Sequence, residues 1–485
     1  MRHSTFCGRC EAPQTRREFL SRSAHGFGAL AMTALLDRGQ VATAGERNAS
    51  AIVNPLAARP PHFAAKAKHV IMLYMTGGPS QVDTFDPKPE LKRLDGMPLP
   101  ESFRSADLKL QFMKASDGKL MGSPFEFRKH GQSGLEISSI FPKLAEHADD
   151  LAVVRSCYHD SFIHGPAINY LCTGSSQVGN PSVGSWVTYG LGSESDNLPA
   201  YLVMTDGVFR GGSGMYQSGY LPALYQGTVI RTEGSPIQNL ETPPGFGRDQ
   251  QRLLLDQISL WNRRHAATRP ADSRLEAQIA NAELAFRMQT AAPDLMDLKS
   301  ETQGTLDLYG VGGGPTARFG RMCLLARRMV ERGVRYVQVI NNDWDGHGDC
   351  SKNHATNAAA IDQPIAALIA DLKQRSLLDS TLLVWCGEFG RTPVMQGNQG
   401  RDHSPYGFSV WLAGGGIRGG KVIGATDELG FRAVEDKVHV NDLHATMLTL
   451  LGLDHEKLTY LFEGRNRRLT DVGGHNQFAE QLVEG

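Results

Sequence analysis

Apolar residues are distributed along this chain in two alternating rhythms. Continuous apolar runs of five to eight residues, the pattern of strands buried on both faces, cover His69–Thr76 (HVIMLYMT), Leu151–Arg155, Ala200–Met204, Val334–Ile340, Thr381–Cys386 and Phe408–Ala413. Between them lie helix-period segments. Phe319–Arg332 sets Met322, Leu325, Ala326 and Met329 on one face and stops at Gly333, a residue suited to a helix C-terminus. Ala358–Arg375 and Asn441–Leu451 also read as helices. Strands alternating with helices predict an α/β fold: a mainly parallel sheet flanked by helices, with ligands bound beyond the carboxyl ends of the strands.

Two stretches depart from this rhythm. Residues 205–315 carry Gly/Pro-rich loops and two helical segments, near 248–264 and 272–290, and are expected as an insertion or cap. The Ala/Pro-rich residues 45–66 read as a linker, which leaves 67–475 as the folded domain. Ahead of the linker, Thr15-Arg16-Arg17-Glu18-Phe19-Leu20 matches the twin-arginine export consensus. A mildly apolar stretch, Phe27 to Leu36, and a small-x-small site at Ala42-Thr43-Ala44 follow. Residues 1–44 are therefore expected to be a signal peptide, with the mature chain starting near Gly45 in the periplasm or outside the cell. No segment has the roughly twenty apolar residues of a membrane helix, so none is expected in the mature protein.

Composition narrows the possibilities only a little. A formal net charge of -1 gives no electrostatic footprint for nucleic acid. Cys7 and Cys10 form one CxxC inside the signal, with no second pair to complete a four-thiolate zinc site. Cys157, Cys172, Cys323, Cys350 and Cys386 are scattered and read as buried free thiols.

The chemistry gathers at predicted strand ends. Val334–Ile340 runs into Asn341-Asn342-Asp343-Trp344-Asp345-Gly346-His347-Gly348-Asp349. Three carboxylates and an imidazole packed this closely repel unless a cation binds them or water solvates them, so a divalent metal or a solvated acidic turn are the two readings. Thr381–Cys386 leads into Gly387-Glu388-Phe389-Gly390-Arg391, where Glu388 can meet that cluster, and Arg391 can hold an oxyanion or simply pair with Glu388. His403 lies just before the strand Phe408–Ala413, where a loop returning over the sheet would join it to Asp345 and His347. His159-Asp160-Ser161-Phe162-Ile163-His164 enters a helix that closes at Thr173-Gly174, and an imidazole at a helix start can contact an anion or serve as a cap.

The order of these features resembles the alkaline-phosphatase/sulfatase superfamily. More closely, GGPSQVDTFDPKPEL, PSVGSWVTYGLG, ARRMVERGVRYVQV, WDGHGD, GEFGRTP, GRDHSP and DLHATMLTLLGLDHEKLTY are similar to the bacterial "domain of unknown function 1501" family. The resemblance implies that Asp345, His347 and His403 form one metal site. Glu388 would stand where the superfamily has an acidic ligand of a second metal, although the residue after it is Phe389 instead of a His. The first strand, which ends in a metal-binding Asp in that superfamily, ends here in Thr76-Gly77, with Asp83 as the nearest substitute. Ten residues before Gly174, in the slot of the attacking Ser, Thr or modified Cys, stands His164, and the sulfatase signature Cys-x-Pro-Ser-Arg is absent. The expectation is an exported hydrolase of phosphate or sulfate esters. Its substrate would be a small-molecule or glycan ester and its cofactor Zn, Mn or Ca, with His164 and Arg391 catalytic. The alternative is a non-hydrolytic, metal-stabilised binding protein.

Overall fold

The computed structural model describes residues 56–471 and 480–481, apart from 104–108, 111–113, 115–117, 238–239, 243–244 and 268–272. The expected twin-arginine signal, its expected cleavage site and most of the expected linker lie outside the described residues.

In chain order the main-sheet strands and the hairpin beside them are β1 (His69–Met75), β2 (Ala152–Tyr158), β3 (Tyr201–Thr205), β4 (Thr228–Val229), β5 (Tyr336–Asn341) and β6 (Thr381–Cys386). Then come β7 (Gly390–Gln396), β8 (Gly400–Ser404), β9 (Phe408–Ala413), β10 (Lys421–Ile423) and β11 (Val438–His439). The longer helices are α1 (His164–Thr173), α2 (Val183–Leu191), α3 (Arg248–Ala267), α4 (Ser273–Met296), α5 (Ala317–Glu331), α6 (Cys350–Gln374) and α7 (Val440–Leu450). Each predicted apolar run and helical segment has its counterpart. α6 starts eight residues earlier than its apolar period suggests, because Asp349 caps it by accepting from the Lys352 N–H at 2.9 Å.

Among the described residues the central sheet runs β10-β2-β9-β6-β1-β5-β3-β4, with β11 added beside β2. β1 pairs in parallel with both β5 and β6, and β3 in parallel with β5 and β4. β9 is the exception, antiparallel to β2 on one side and β6 on the other. The uninterrupted apolar character of β1 follows from the layering. Ile71, Leu73 and Met75 join the core that includes α5 and α6, whereas Val70, Met72 and Tyr74 face α1, α2 and α7. Both faces are covered, so no position along the strand can be polar without cost, and full burial of each such side chain stabilises by about 1.5–3 kcal/mol.

Residues 205–315 do not form a detached cap. They contribute the edge strand β4 to the sheet, and Ile230, Leu295 and Met296 to the α5/α6 core. The described end of the expected linker is also held against the domain: Ser193 N donates to Leu56 O, Arg59 N to Leu191 O and Lys66 N to Leu450 O, all at 2.8 Å. The described cysteines 157, 172, 323, 350 and 386 are buried free thiols. Among the described residues no helix is long and apolar enough to cross a membrane.

Candidate metal centre

The carboxyl ends of β1, β5 and β6 share one edge of the sheet, and the start of the antiparallel β9 lies at that same edge. This topology brings His403, which precedes β9, beside residues that follow β5. His403 sits on β8 of the β7–β8 hairpin, cross-strand from Arg391. The hairpin packs tightly on the loop after β5: a Cβ on Gly400 would overlap the carbonyl of His347.

Four side chains converge there. His347 Nε2 lies 2.9 Å from His403 Nε2 and 2.9 Å from Asp345 Oδ1. His403 Nε2 is 3.3 Å from the same carboxylate oxygen, and His164 Nε2 is 3.2 Å from Asp345 Oδ2. One donor atom from each of the four lies within 4.8 Å of the others. Bonds of about 2.0–2.2 Å to a metal set neighbouring ligands roughly 3.0–3.5 Å apart, so these atoms already stand near the spacing of a ligand cage.

The outer nitrogens of the three rings explain their orientation. His403 Nδ1 donates to the Phe162 carbonyl at 2.9 Å, His347 Nδ1 to Gln396 Oε1 at 2.6 Å, and His164 Nδ1 to Glu388 Oε1 at 2.7 Å. Each Nδ1 faces an acceptor; with a proton there, each Nε2 can offer its lone pair inward to a cation, and where no cation is bound Nε2 can instead carry a proton toward Asp345. Imidazole nitrogens gathered around a carboxylate need a cation or protons among them. The donor set thus fits a divalent ion and could hold one.

The titration behaviour has the same cause. Burial disfavours charge on Asp345, but hydrogen bonds from His164, His347 and His403, with Arg391 nearby, hold its carboxyl far below the usual range. Burial pushes His403 down to about 4 against its contact with Asp345. At His164 burial also works against the proton, yet Asp345 and Glu388 outweigh it and raise the ring to about 8. His164, Asp345 and His347 keep about a quarter of their side chains exposed and His403 none, so the cluster opens to solvent on one side.

The three carboxylates that follow β5 do not converge. Asp345 alone enters the cluster. Asp343, at φ 72°, points outward with 78% of its side chain exposed, and Asp349 caps α6.

Three other expected site residues also have different partners. Glu388 turns to the outer side of His164; its Oε1 also accepts from Gly77 N at 2.8 Å and its Oε2 from the Tyr74 hydroxyl at 3.2 Å. Its carboxylate is shared among His164, Gly77 and Tyr74. Asp83 is buried in an ion pair with Arg401, whose Nε lies 2.8 Å from Asp83 Oδ2, and Ser80 Oγ donates to the same oxygen at 2.6 Å. Arg401 holds that carboxyl below its usual range although burial opposes ionisation.

Arg391 is completely buried and its donors are taken within the chain: Nε by Gly78 O, Nη1 by Arg401 O, and Nη2 by Gly77 O and Asp345 Oδ1. It braces the turn after β1 and Asp345, so it is not placed to bind an oxyanion. A Cβ on Gly77 (φ 111°) would strike the backbone of Asp345 at 2.4 Å, so that turn needs glycine.

Three contributors carried no sequence signal. Phe162 acts through its backbone carbonyl. Gln396 reaches His347 only through the β7–β8 pairing. Arg210, from a Gly-rich loop, places Nη1 3.2 Å from Asp345 Oδ2 and Nη2 3.2 Å from Asp343 Oδ1 at the open side of the cluster. Phe389, whose ring lies 4.3 Å from that of His403, fills the place beside Glu388 with an apolar ring. His159 is structural: buried, stacked on Tyr170, and bonded through Nε2 to the Glu388 carbonyl.

The fold and site define a mixed α/β protein with a His/Asp cluster suited to a metal ion at the carboxyl edge of its sheet. Over residues 67–480 the chain belongs to the family described as "Protein of unknown function (DUF1501)". No curated protein matches the sequence.

Among solved structures, it is similar to a sulfatase from Pseudoalteromonas sp. at 12% identity, covering 86% of this chain and 72% of that one, with a TM-score of 0.38. It is similar to a protein in the alkaline phosphatase superfamily from Vibrio parahaemolyticus at 10% identity, covering 84% and 75%, with a TM-score of 0.34. A lipoteichoic acid synthase from Listeria monocytogenes also matches at 10% identity, covering 83% and 77%, with a TM-score of 0.34.

Proposed function

We propose that this protein is an exported, metal-dependent hydrolase of phosphate or sulfate esters, with one divalent cation held by His164, Asp345, His347 and His403. One observation carries the proposal: three imidazoles, each with Nδ1 tied to its own acceptor, aim Nε2 at a single carboxylate on a solvent-open sheet edge. Three nitrogens and a carboxylate suit Zn or Mn better than Ca, which prefers a shell of oxygens. When bound, such a cation supplies Lewis-acid chemistry, polarising an ester oxygen and favouring ionisation of water.

The protein groups divide the remaining tasks. Glu388, Gln396 and the Phe162 carbonyl fix the three rings. Arg391 holds Asp345 from behind. Arg210, about one third exposed at the open side, is the cation that an ester oxyanion would meet first. His164 does not serve as a nucleophile in this reading, because its Nδ1 is committed to Glu388 and its Nε2 faces Asp345. The rival reading is a metal-stabilised protein that binds its ligand without hydrolysing it.

Turnover of aryl phosphates and sulfates with added Zn²⁺, Mn²⁺ or Ca²⁺ separates the two. Metal-dependent turnover that disappears in His347→Ala supports the hydrolase. Tight metal binding without turnover supports the binding protein, and a protein that binds no divalent ion rules out both. Export rests on the Arg16-Arg17 pair. Arg16→Lys with Arg17→Lys should leave the precursor in the cytoplasm, and normal processing of that variant would refute the assignment.

A further inference from the structure

Asp345 receives five basic side chains on its two oxygens: His347, His403 and Arg391 at Oδ1, His164 and Arg210 at Oδ2. A carboxylate offers roughly four lone-pair sites, so these donors share it. Arg391 is buried and also held by three backbone carbonyls. Arg210 is the least committed of the five. Its side chain is 31% exposed, and among the described residues it bonds only to Asp345 and Asp343, each at 3.2 Å.

The backbone that carries Arg210 is seated at both ends, which leaves its long side chain to move. Asp206 accepts from Asn342 N at 3.0 Å and from Asn342 Nδ2 at 2.7 Å, tying the start of the loop to the end of β5. Beyond Arg210 the loop lies against α1, the helix that begins at His164. A Cβ on Gly211 would stand 2.5 Å from Ile168 Cγ2, and one on Gly214 2.8 Å from Asn169 Oδ1.

Asp343 is the other seat of the guanidinium. Its left-handed backbone, φ 72°, is unfavourable for a residue with a side chain. Two amides hold it there, Asn353 Nδ2 at 2.6 Å and Asn357 Nδ2 at 2.8 Å from its carbonyl oxygen. Strain retained in this way clusters at functional sites, and here it keeps a second carboxylate within reach of Arg210.

We propose that Arg210 and a divalent cation compete for Asp345, and that Asp343 keeps the displaced guanidinium at the mouth of the site for an anion. The proposal rests on the metal centre of the proposed function. Two cations drawing on one carboxylate repel each other, and the more exposed one yields. Arg391 cannot leave without stranding buried donors, whereas Arg210 can exchange Asp345 for water or an oxyanion. Cation and anion binding are thereby linked. A sulfate or phosphate that takes the guanidinium relieves the competition, and a cation that takes Asp345 frees the guanidinium.

Titration of Mn²⁺ into the protein by calorimetry, and of Zn²⁺ against a competing chelator, reads the competition without any turnover. Arg210→Gln should bind the ion about tenfold more tightly than the wild type. Arg210→Lys keeps the charge but cannot span two carboxylates, and should also bind more tightly. Inorganic sulfate should raise Mn²⁺ affinity in the wild type and do so less in Arg210→Gln. Equal or weaker metal binding by Arg210→Gln overturns the inference and makes Arg210 a brace for Asp345. Wild-type affinity in Arg210→Lys also overturns it, since a nearby charge then suffices, as does a sulfate effect of the same size in both proteins. If neither protein binds an ion, the inference falls together with the metal centre. Tighter binding by Arg210→Gln in a protein that turns over no ester upholds the competition and removes the hydrolase reading alone.

Discussion

Glu388 and Asp345 grip opposite nitrogens of one imidazole: His164 Nδ1 lies 2.7 Å from Glu388 Oε1 and its Nε2 lies 3.2 Å from Asp345 Oδ2. The ring is thereby fixed in orientation, as an outer-shell carboxylate does for a metal-bound histidine. Glu388→Gln keeps the shape but weakens this hold. Metal affinity should fall by about 10–100-fold with the fold intact. Titration with Zn²⁺ against a competing chelator measures it, and unchanged affinity would remove Glu388 from the site.

His164→Ala distinguishes ligand from nucleophile. A ligand's loss lowers metal content, and any hydrolysis falls in parallel, with no acid-labile phosphoryl-histidine trapped in the parent protein. Elemental analysis alongside acid-quench labelling reads both. Full metal content in the variant would contradict the four-residue site.

Gly77→Ala should damage the site more than its single methyl suggests. Positive φ and the approach of a Cβ to within 2.4 Å of Asp345 N leave no unstrained solution. Expected is a loss of about 1–3 kcal/mol together with weaker metal binding. Denaturant unfolding of the variant should show it, and wild-type stability would mean the turn yields easily.

Stability should fall between about pH 6.5 and 4. Burial holds His159, His354 and His444 down at about 4 in the folded protein, against about 6.5 in the unfolded chain. Above this window both states are neutral there. Within it the unfolded chain takes up protons that the folded protein refuses, so each ring costs up to a few kcal/mol as pH drops. His164, held at about 8, runs the other way: its contribution is complete below about 6.5 and is lost as pH rises through 8. Urea unfolding at pH 7 and pH 5 compares the two conditions, and His444→Gln, remote from the cluster, should flatten the decline. Equal stability at both values would refute the assignment.

Secondary structure was legible because it depends on local periodicity. The apolar runs at His69–Thr76 and Thr381–Cys386 emerge as buried central strands, and the Thr-Gly ending of one helix located His164 at its start. The grouping of Asp345, His347 and His403 came from the family resemblance, with a loop returning over the sheet required to bring His403 to the other two.

The direction of β9 was not legible, because an apolar run reads the same in either orientation. Only antiparallel pairing with β6 puts the residues before β9 at the edge where the His/Asp cluster forms. Nor could sequence assign the polar partners. Arg391, Asp83 and Glu388 are each buried, and a buried charge must be satisfied by whichever groups the fold brings within hydrogen-bond reach. For Arg391 those groups are Gly77 O, Gly78 O, Arg401 O and Asp345; for Asp83, Arg401 and Ser80; for Glu388, Gly77, Tyr74 and His164. Most of these partners lie hundreds of residues away in the chain. Residue type and spacing therefore determined which groups follow the parallel strands to the sheet edge, and long-range packing decided which of them enter the His/Asp cluster and which hold the others in place.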